Sequence, residues 1–174
     1  YGTYTHPSGY FTLSGLPGTA LAWGGNASGQ LGDGTAMKSH VPVLLRLPGG
    51  VTALSAGAGH GLALDADGTV WAWGNNNHGE LGNGAFTDSS VPVQVKDPTG
   101  GGLLTGIVAV SAGYDHSLAL DKDGRVYGWG SNDAGQLGVD PTVPPATDRY
   151  NLPREIISTG IRAIAAGQQF SLAL

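Results

Sequence analysis

The sequence predicts an all-β fold built from repeated units of four short antiparallel strands, and three observations lead there. The first is a block that occurs three times. Trp23-Gly24-Gly25-Asn26-Ala27-Ser28-Gly29-Gln30-Leu31-Gly32 returns at residues 73–82 and 129–138 as W-G-x-N-x-x-G-[QE]-L-G, with spacings of 50 (23 to 73) and 56 (73 to 129). A period of this length marks an array of small stacked units. The second is another recurring block. Ser55-Ala56-Gly57-Ala58-Gly59-His60-Gly61-Leu62-Ala63-Leu64 is matched at residues 111–120 and again at 165–174. The third is the placement of the 31 glycines and 10 prolines among 174 residues. They fall at fixed offsets, as tight turns require, and not as low-complexity filler.

Each element follows in order. After the first two copies of the Leu-Ala-Leu run comes Asp-x-Asp-Gly (65–68 and 121–124), then Thr69-Val70-Trp71-Ala72-Trp73 or Arg125-Val126-Tyr127-Gly128-Trp129. Two short apolar runs joined in this way read as a β-hairpin, with Asp67-Gly68 and Asp123-Gly124 as turn formers whose carboxylates bond their own backbone. The Trp block opens a loop that ends in Val-Pro-Val (41–43, 91–93), an edge strand because proline cannot donate to a central ladder. A further strand, 51–56 or 107–112, makes four in about 50 residues, which is one propeller blade. The units divide as 18–64, 65–120 and 121–174, about three blades. Residues 1–17 stand outside them, as an N-terminal strand segment or the end of a preceding module.

The joint pattern A-G-x-x-H-S-L-A-L, D-x-D-G-x-V-[WY]-x-W-G and N-x-x-G-Q-L-G resembles the regulator-of-chromosome-condensation repeat family over residues 18–174. The resemblance implies a β-propeller, usually of seven blades closed into a ring. This sequence departs from the pattern where Phe170 replaces His60 and His116, and where Glu80 replaces Gln30 and Gln136. Similar propellers act as exchange factors for a nuclear GTPase, as chromatin readers and as secreted inhibitors of β-lactamase. Residues 9–19 resemble the end of a carboxypeptidase-regulatory-like β-sandwich module, common in secreted surface proteins. The other reading is a degenerate first hairpin in which Phe11 and Leu13 stand in for Leu62 and Leu64.

The bulk composition narrows the function classes. The net charge is −5, and the eight Lys and Arg stand singly, as at Lys38, Arg46, Lys96 and Arg125. A nucleic-acid partner needs a basic stripe, so none is expected. No apolar run reaches the 18 or so residues of a membrane helix, so no membrane insertion is expected. Cysteine is absent, which removes disulfides, thiolate metal sites and cysteine nucleophiles. The start at Tyr1 is read as a processed form or a fragment.

The chemical candidates reduce to packing. His60 and His116 share a slot that Phe170 fills in the third copy, so the slot asks for a flat ring and not for a ligand or proton carrier. His6, His40 and His78 are isolated, without zinc-ligand spacing. The Asp-x-Asp-Gly turns lack the closing Glu of a twelve-residue calcium loop. No nucleophile elbow or phosphate loop occurs. Asn26-Ala27-Ser28 is a glycosylation sequon, but the repeat itself requires the Asn. Trp23, Trp73 and Trp129, each followed by Gly, fit the wedge between blades. The expectation is a non-enzymatic protein with no catalytic residue, cofactor or metal.

Function is then sought where the copies differ, since propellers bind through loops on one rim. The two residues inside A-G-x-x-H vary most: Ala58-Gly59, Tyr114-Asp115 and Gln168-Gln169. The stretch 140–152 is longer than its equivalents, with Arg149 and Tyr150 near its end. Tyr114, Asp115, Gln168, Gln169, Arg149 and Tyr150 are the candidate binding residues, and a protein partner, or other copies of the chain, is the expected ligand. The alternative class is a self-assembling structural subunit, in which the strand at 19–23 completes the last blade of another copy. The expected location is extracellular or the cell surface.

Overall fold

The computed structural model describes residues 4–5, 11–12, 19–47, 50–140 and 147–174. Strands β1 (Tyr4–Thr5) and β2 (Phe11–Thr12) pair antiparallel as a separate ladder. Leu13, on which the degenerate-hairpin reading depends, lies outside the described residues, as does most of the segment compared with a β-sandwich module.

Two complete blades follow, and both are antiparallel. The first has the order β5 (Val51–Ala56), β6 (His60–Asp65), β7 (Val70–Gly74), β8 (Ser89–Gln94). The second runs β9 (Ile107–Ala112), β10 (His116–Asp121), β11 (Val126–Ser131), β12 (Arg149–Ile157). A half-blade flanks them on each side: β3 (Leu21–Gly24) with β4 (Ser39–Leu44), and β13 (Ile164–Ala166) with β14 (Ser171–Ala173). The spatial blades are therefore offset from the sequence units, because each unit begins in the middle of a sheet. The proline-bearing strands β4, β8 and β12 all lie at sheet edges, where the missing N–H costs no ladder bond. Pro153, in the stretch expected as a long loop, sits inside β12, while residues 141–146 lie outside the description.

The hairpins form as expected, with one correction. The carboxylate that closes each turn belongs to the first aspartate, not the second. Asp65 Oδ1 accepts from the Asp67 and Thr69 amides at 3.0 and 2.9 Å, and Asp121 Oδ1 accepts from those of Asp123 and Arg125 at 2.9 and 2.8 Å. Only the carboxylate at the strand end can span the turn to both amides. Asp123 points outward and pairs with Lys122.

The Leu-Ala-Leu runs explain how the blades stack. Side chains alternate between the two faces of a strand. Leu62 and Leu64 join Val70, Ala72, Leu81 and Val95 on the face that meets the second blade, whose Ala119 and Trp129 complete that core. Ala63 lies on the opposite face with Trp73, Ala20 and Leu45. A tryptophan thus packs with the central alanine in two of the three runs, Trp73 with Ala63 and Trp129 with Ala119, and the small residue leaves the wedge open for the ring.

Candidate functional site: a loop rim

Antiparallel order brings the β5–β6, β9–β10 and β13–β14 turns to the same end of the molecule as the loops opened by the Trp blocks. The Asp-x-Asp-Gly hairpins lie at the other end. Almost every invariant residue at the loop end has an internal partner. In the Trp block the Asn side chain is buried, and its oxygen accepts the amide of the block's Leu in all three copies (Leu31, Leu81, Leu137) at 2.9–3.0 Å. The Asn26 amide nitrogen donates to the carbonyls of Thr35 and Met37, so the folded chain cannot carry a glycan there. The Gln or Glu side chain accepts the amide two residues earlier: Ser28, His78 and Ala134. Its carbonyl serves the next unit, with Trp73 Nε1 donating to Gln30 O at 2.8 Å and Trp129 Nε1 to Glu80 O at 2.6 Å.

The His slot is wired across blades in the same way. Ser117 Oγ donates its single proton to Glu80 O at 2.9 Å, so it accepts from His60 Nε2 at 3.0 Å. His116 Nε2 stands likewise against Ser171 Oγ at 3.1 Å, and that hydroxyl donates to Gln136 O. Both imidazoles therefore carry their proton on Nε2. Nδ1 of each is buried without a partner. Burial pushes both pKa values down to about 4, with the neighbouring His116 adding a smaller effect on His60. The preceding glycine makes the slot possible. A Cβ on Gly57 or Gly113 would meet the His ring within 2.5 Å, and one on Gly167 would meet the Phe170 ring at 2.3 Å. The Phe170 ring lies over Gly167 as the imidazoles lie over Gly57 and Gly113, but it is 56% exposed where His60 and His116 are buried.

Above this framework the copies diverge. Backbone bonds link successive turns, Ala58 N to Tyr114 O (3.4 Å) and Tyr114 N to Gln168 O (3.3 Å), so the variable residues stand on a braced arc. Tyr114 is 49% exposed, and Gln168 and Gln169 are exposed. Arg149 is exposed but held: its guanidinium donates to Asn77 O at 3.1 Å and lies 4.7 Å from the Phe86 ring centroid. Two expectations are corrected. Tyr150 is only 6% exposed and packs with Leu118 and Leu137, because in β12 it alternates inward while Arg149 points out. Trp23 is 64% exposed where Trp73 and Trp129 are 4% and 0%. No described strand lies on its outer side.

His78, isolated in the sequence, is not isolated in the fold. His78, Glu80 and Asp115 place their donor atoms within 4.8 Å of one another. Burial raises the pKa of Glu80 and, to the same sign, that of Asp115. The available signal was that each of the three departs from its counterparts in the other repeats.

Four-stranded sheets stacked through tryptophan wedges, with conserved wiring below a variable rim, define a segment of a repeat propeller. The model of the regulator of chromosome condensation (RCC1) repeat matches residues 17–64, 67–120 and 123–174, and the chain belongs to this family. Human WBSCR16 superposes with a TM-score of 0.75 at 25% identity, over 88% of this chain and 39% of that one. Prp20p of Saccharomyces cerevisiae gives 0.75 at 24% identity, over 89% and 39%. A 68-residue stretch is 40% identical to human probable E3 ubiquitin-protein ligase HERC6, covering 39% of this chain and 7% of that protein. The chain thus spans about two fifths of these solved propellers and a small part of that curated relative.

Proposed function

We propose that this chain is a non-catalytic docking segment of an RCC1-repeat propeller, and that a protein partner seats on the rim bearing Tyr114, Gln168 and Gln169. The observation that carries this reading is the braced arc: hydrogen-bonded turns hold at equivalent positions the side chains that differ between repeats. A half-exposed tyrosine on a rigid turn is the kind of anchor that dominates protein interfaces. The solved neighbour Prp20p is described by its binding to Gsp1p and histones, which supports a protein ligand for this fold. We place the protein at the cell surface or outside the cell, on the resemblance of residues 9–19 to a module of secreted proteins. Tyr114→Ala combined with Gln168→Ala is expected to weaken binding of a protein partner selected by the wild-type chain at least tenfold with Tm unchanged, read by calorimetry. Lys122→Ala, at the hairpin end, is expected to change neither. The reverse result would move the interface to the hairpin end.

A second reading is favoured by the half-blades. Leu172 and Trp23 expose 60% and 64% of their surface on two-stranded sheets, and together β13, β14, β3 and β4 would supply the four strands of one blade. Copies joined in this way would form a closed oligomer or a filament.

A further inference from the structure

We propose that His78, Glu80 and Asp115 bind a divalent first-row transition ion, with Zn2+ as the reference case, and so clamp two successive blades at the rim.

All three residues replace something else in the sister repeats. His78 stands where Ser28 and Ala134 do, Glu80 where Gln30 and Gln136 do, and Asp115 where Gly59 and Gln169 do. Two come from the loop after β7 and one from the β9–β10 turn of the next blade. Only the stacking of blades brings them together.

The exchange of Gln for Glu leaves a specific vacancy in the bonding. Gln136 uses both ends of its amide: the oxygen accepts from Ala134 N and the nitrogen donates to Ser131 Oγ at 3.0 Å. Glu80 keeps the first bond, with Oε2 accepting from His78 N at 2.8 Å. Its Oε1 is fully buried and makes no hydrogen bond, and neither does His78 Nδ1, which faces it at 3.4 Å. A buried carboxylate oxygen without a donor is costly.

The spacing fits an ion. Ligand bonds of about 2.1 Å in tetrahedral array put ligand atoms roughly 3.4 Å apart, which matches the separation of Oε1 and Nδ1. Asp115, only half-buried, has a carboxylate oxygen within 4.8 Å of the other two donor atoms and would be the third ligand. Its backbone is fixed, because Asp115 O accepts from Ser131 N at 2.8 Å. One nitrogen and two carboxylates suit Zn2+, Mn2+ or Fe2+ and are too few oxygens for Ca2+. The bond from His78 N already orients Glu80, as outer contacts do for metal ligands. The partly exposed His78 leaves a route for the ion.

An ion here would tie the loop of one blade to the turn that presents Tyr114, independently of any partner. The test is calorimetric titration of the EDTA-treated intact protein with ZnCl2, MnCl2, MgCl2 and CaCl2, with Tm read in parallel. Glu80→Gln and His78→Ser install residues that the sister repeats carry at the same place, so both variants are expected to fold. The expected result is one Zn2+ per chain with a raised Tm, at least tenfold weaker binding in each variant, and no response to Ca2+. Absence of stoichiometric Zn2+ binding would overturn the proposal and leave a His78–Glu80 ion pair. So would binding undiminished in both variants, which would place the metal on other histidines, or Ca2+ binding as tight as Zn2+.

Discussion

Trp129→Ala is expected to weaken the contact between the two complete blades more than any other single substitution of a repeat tryptophan. The ring is fully buried between them, surrounded by Leu62, Leu81, Val95 and Ala119, and its Nε1 donates to Glu80 O. Removing a buried aromatic ring costs about 3–5 kcal/mol through lost transfer energy and the cavity left behind. The truncation also leaves Glu80 O with Ser117 Oγ as its side-chain donor. Stability in stacked arrays is a sum of unit and nearest-neighbour terms, so the loss falls on one interface. Thermal unfolding followed by circular dichroism is expected to start about 10 °C lower and to split into two transitions. Trp23→Ala, at the exposed copy of the same motif position, is expected to shift Tm by only a degree or two. Equal effects from the two substitutions would contradict the assigned wedge role.

Acid is expected to destabilise the protein through its two buried histidines, His60 and His116. Each has a folded-state pKa of about 4 against an ordinary 6.5. The unfolded chain therefore binds more protons than the folded one between those values, and stability falls as pH falls. The contribution is complete above about pH 6.5 and is lost progressively down to about pH 4, where it amounts to roughly 3 kcal/mol per histidine. The physical cause is local. Nε2 already donates to a serine that is itself committed to a carbonyl, so the added proton would go to Nδ1, which has no acceptor. Urea midpoints measured from pH 7 to pH 4 should fall steeply through this window. A flat profile would mean that the rings find acceptors or solvent on protonation.

Much of the framework was legible in the sequence because it depends on local spacing. Leu-Ala-Leu followed by Asp-x-Asp-Gly places a hairpin by alternation and turn chemistry, and Val-Pro-Val places an edge by its missing donor. Which aspartate closes the turn was not legible, since Asp65 and Asp67 are both near it and only strand geometry selects the first. Tyr150 was misjudged for a related reason. Proline-rich residues 140–153 conceal where β12 begins, so the inward phase of Tyr150 could not be counted. Trp23 follows the same motif as Trp73 and Trp129 but lacks a described neighbour, a matter of context and not of motif. The grouping of His78, Glu80 and Asp115 crosses between blades and joins residues separated by 35 positions (80 to 115). Sequence spacing alone cannot show that proximity, although the substitution of Glu for Gln at position 80 marked the place.

Residues shared by the repeats build the blades, and residues differing between them are proposed to carry the binding. The most direct measurement replaces both shared rings at once, His60→Phe with His116→Phe, following the copy that already holds Phe170 over Gly167. Stability from pH 7 to pH 4 and partner affinity at pH 7 are then read on the same variant. The expected result is a folded protein whose loss of stability between pH 6.5 and pH 4 is largely gone and whose partner affinity is unchanged. A variant that keeps the acid transition, or that folds but no longer binds, would contradict it.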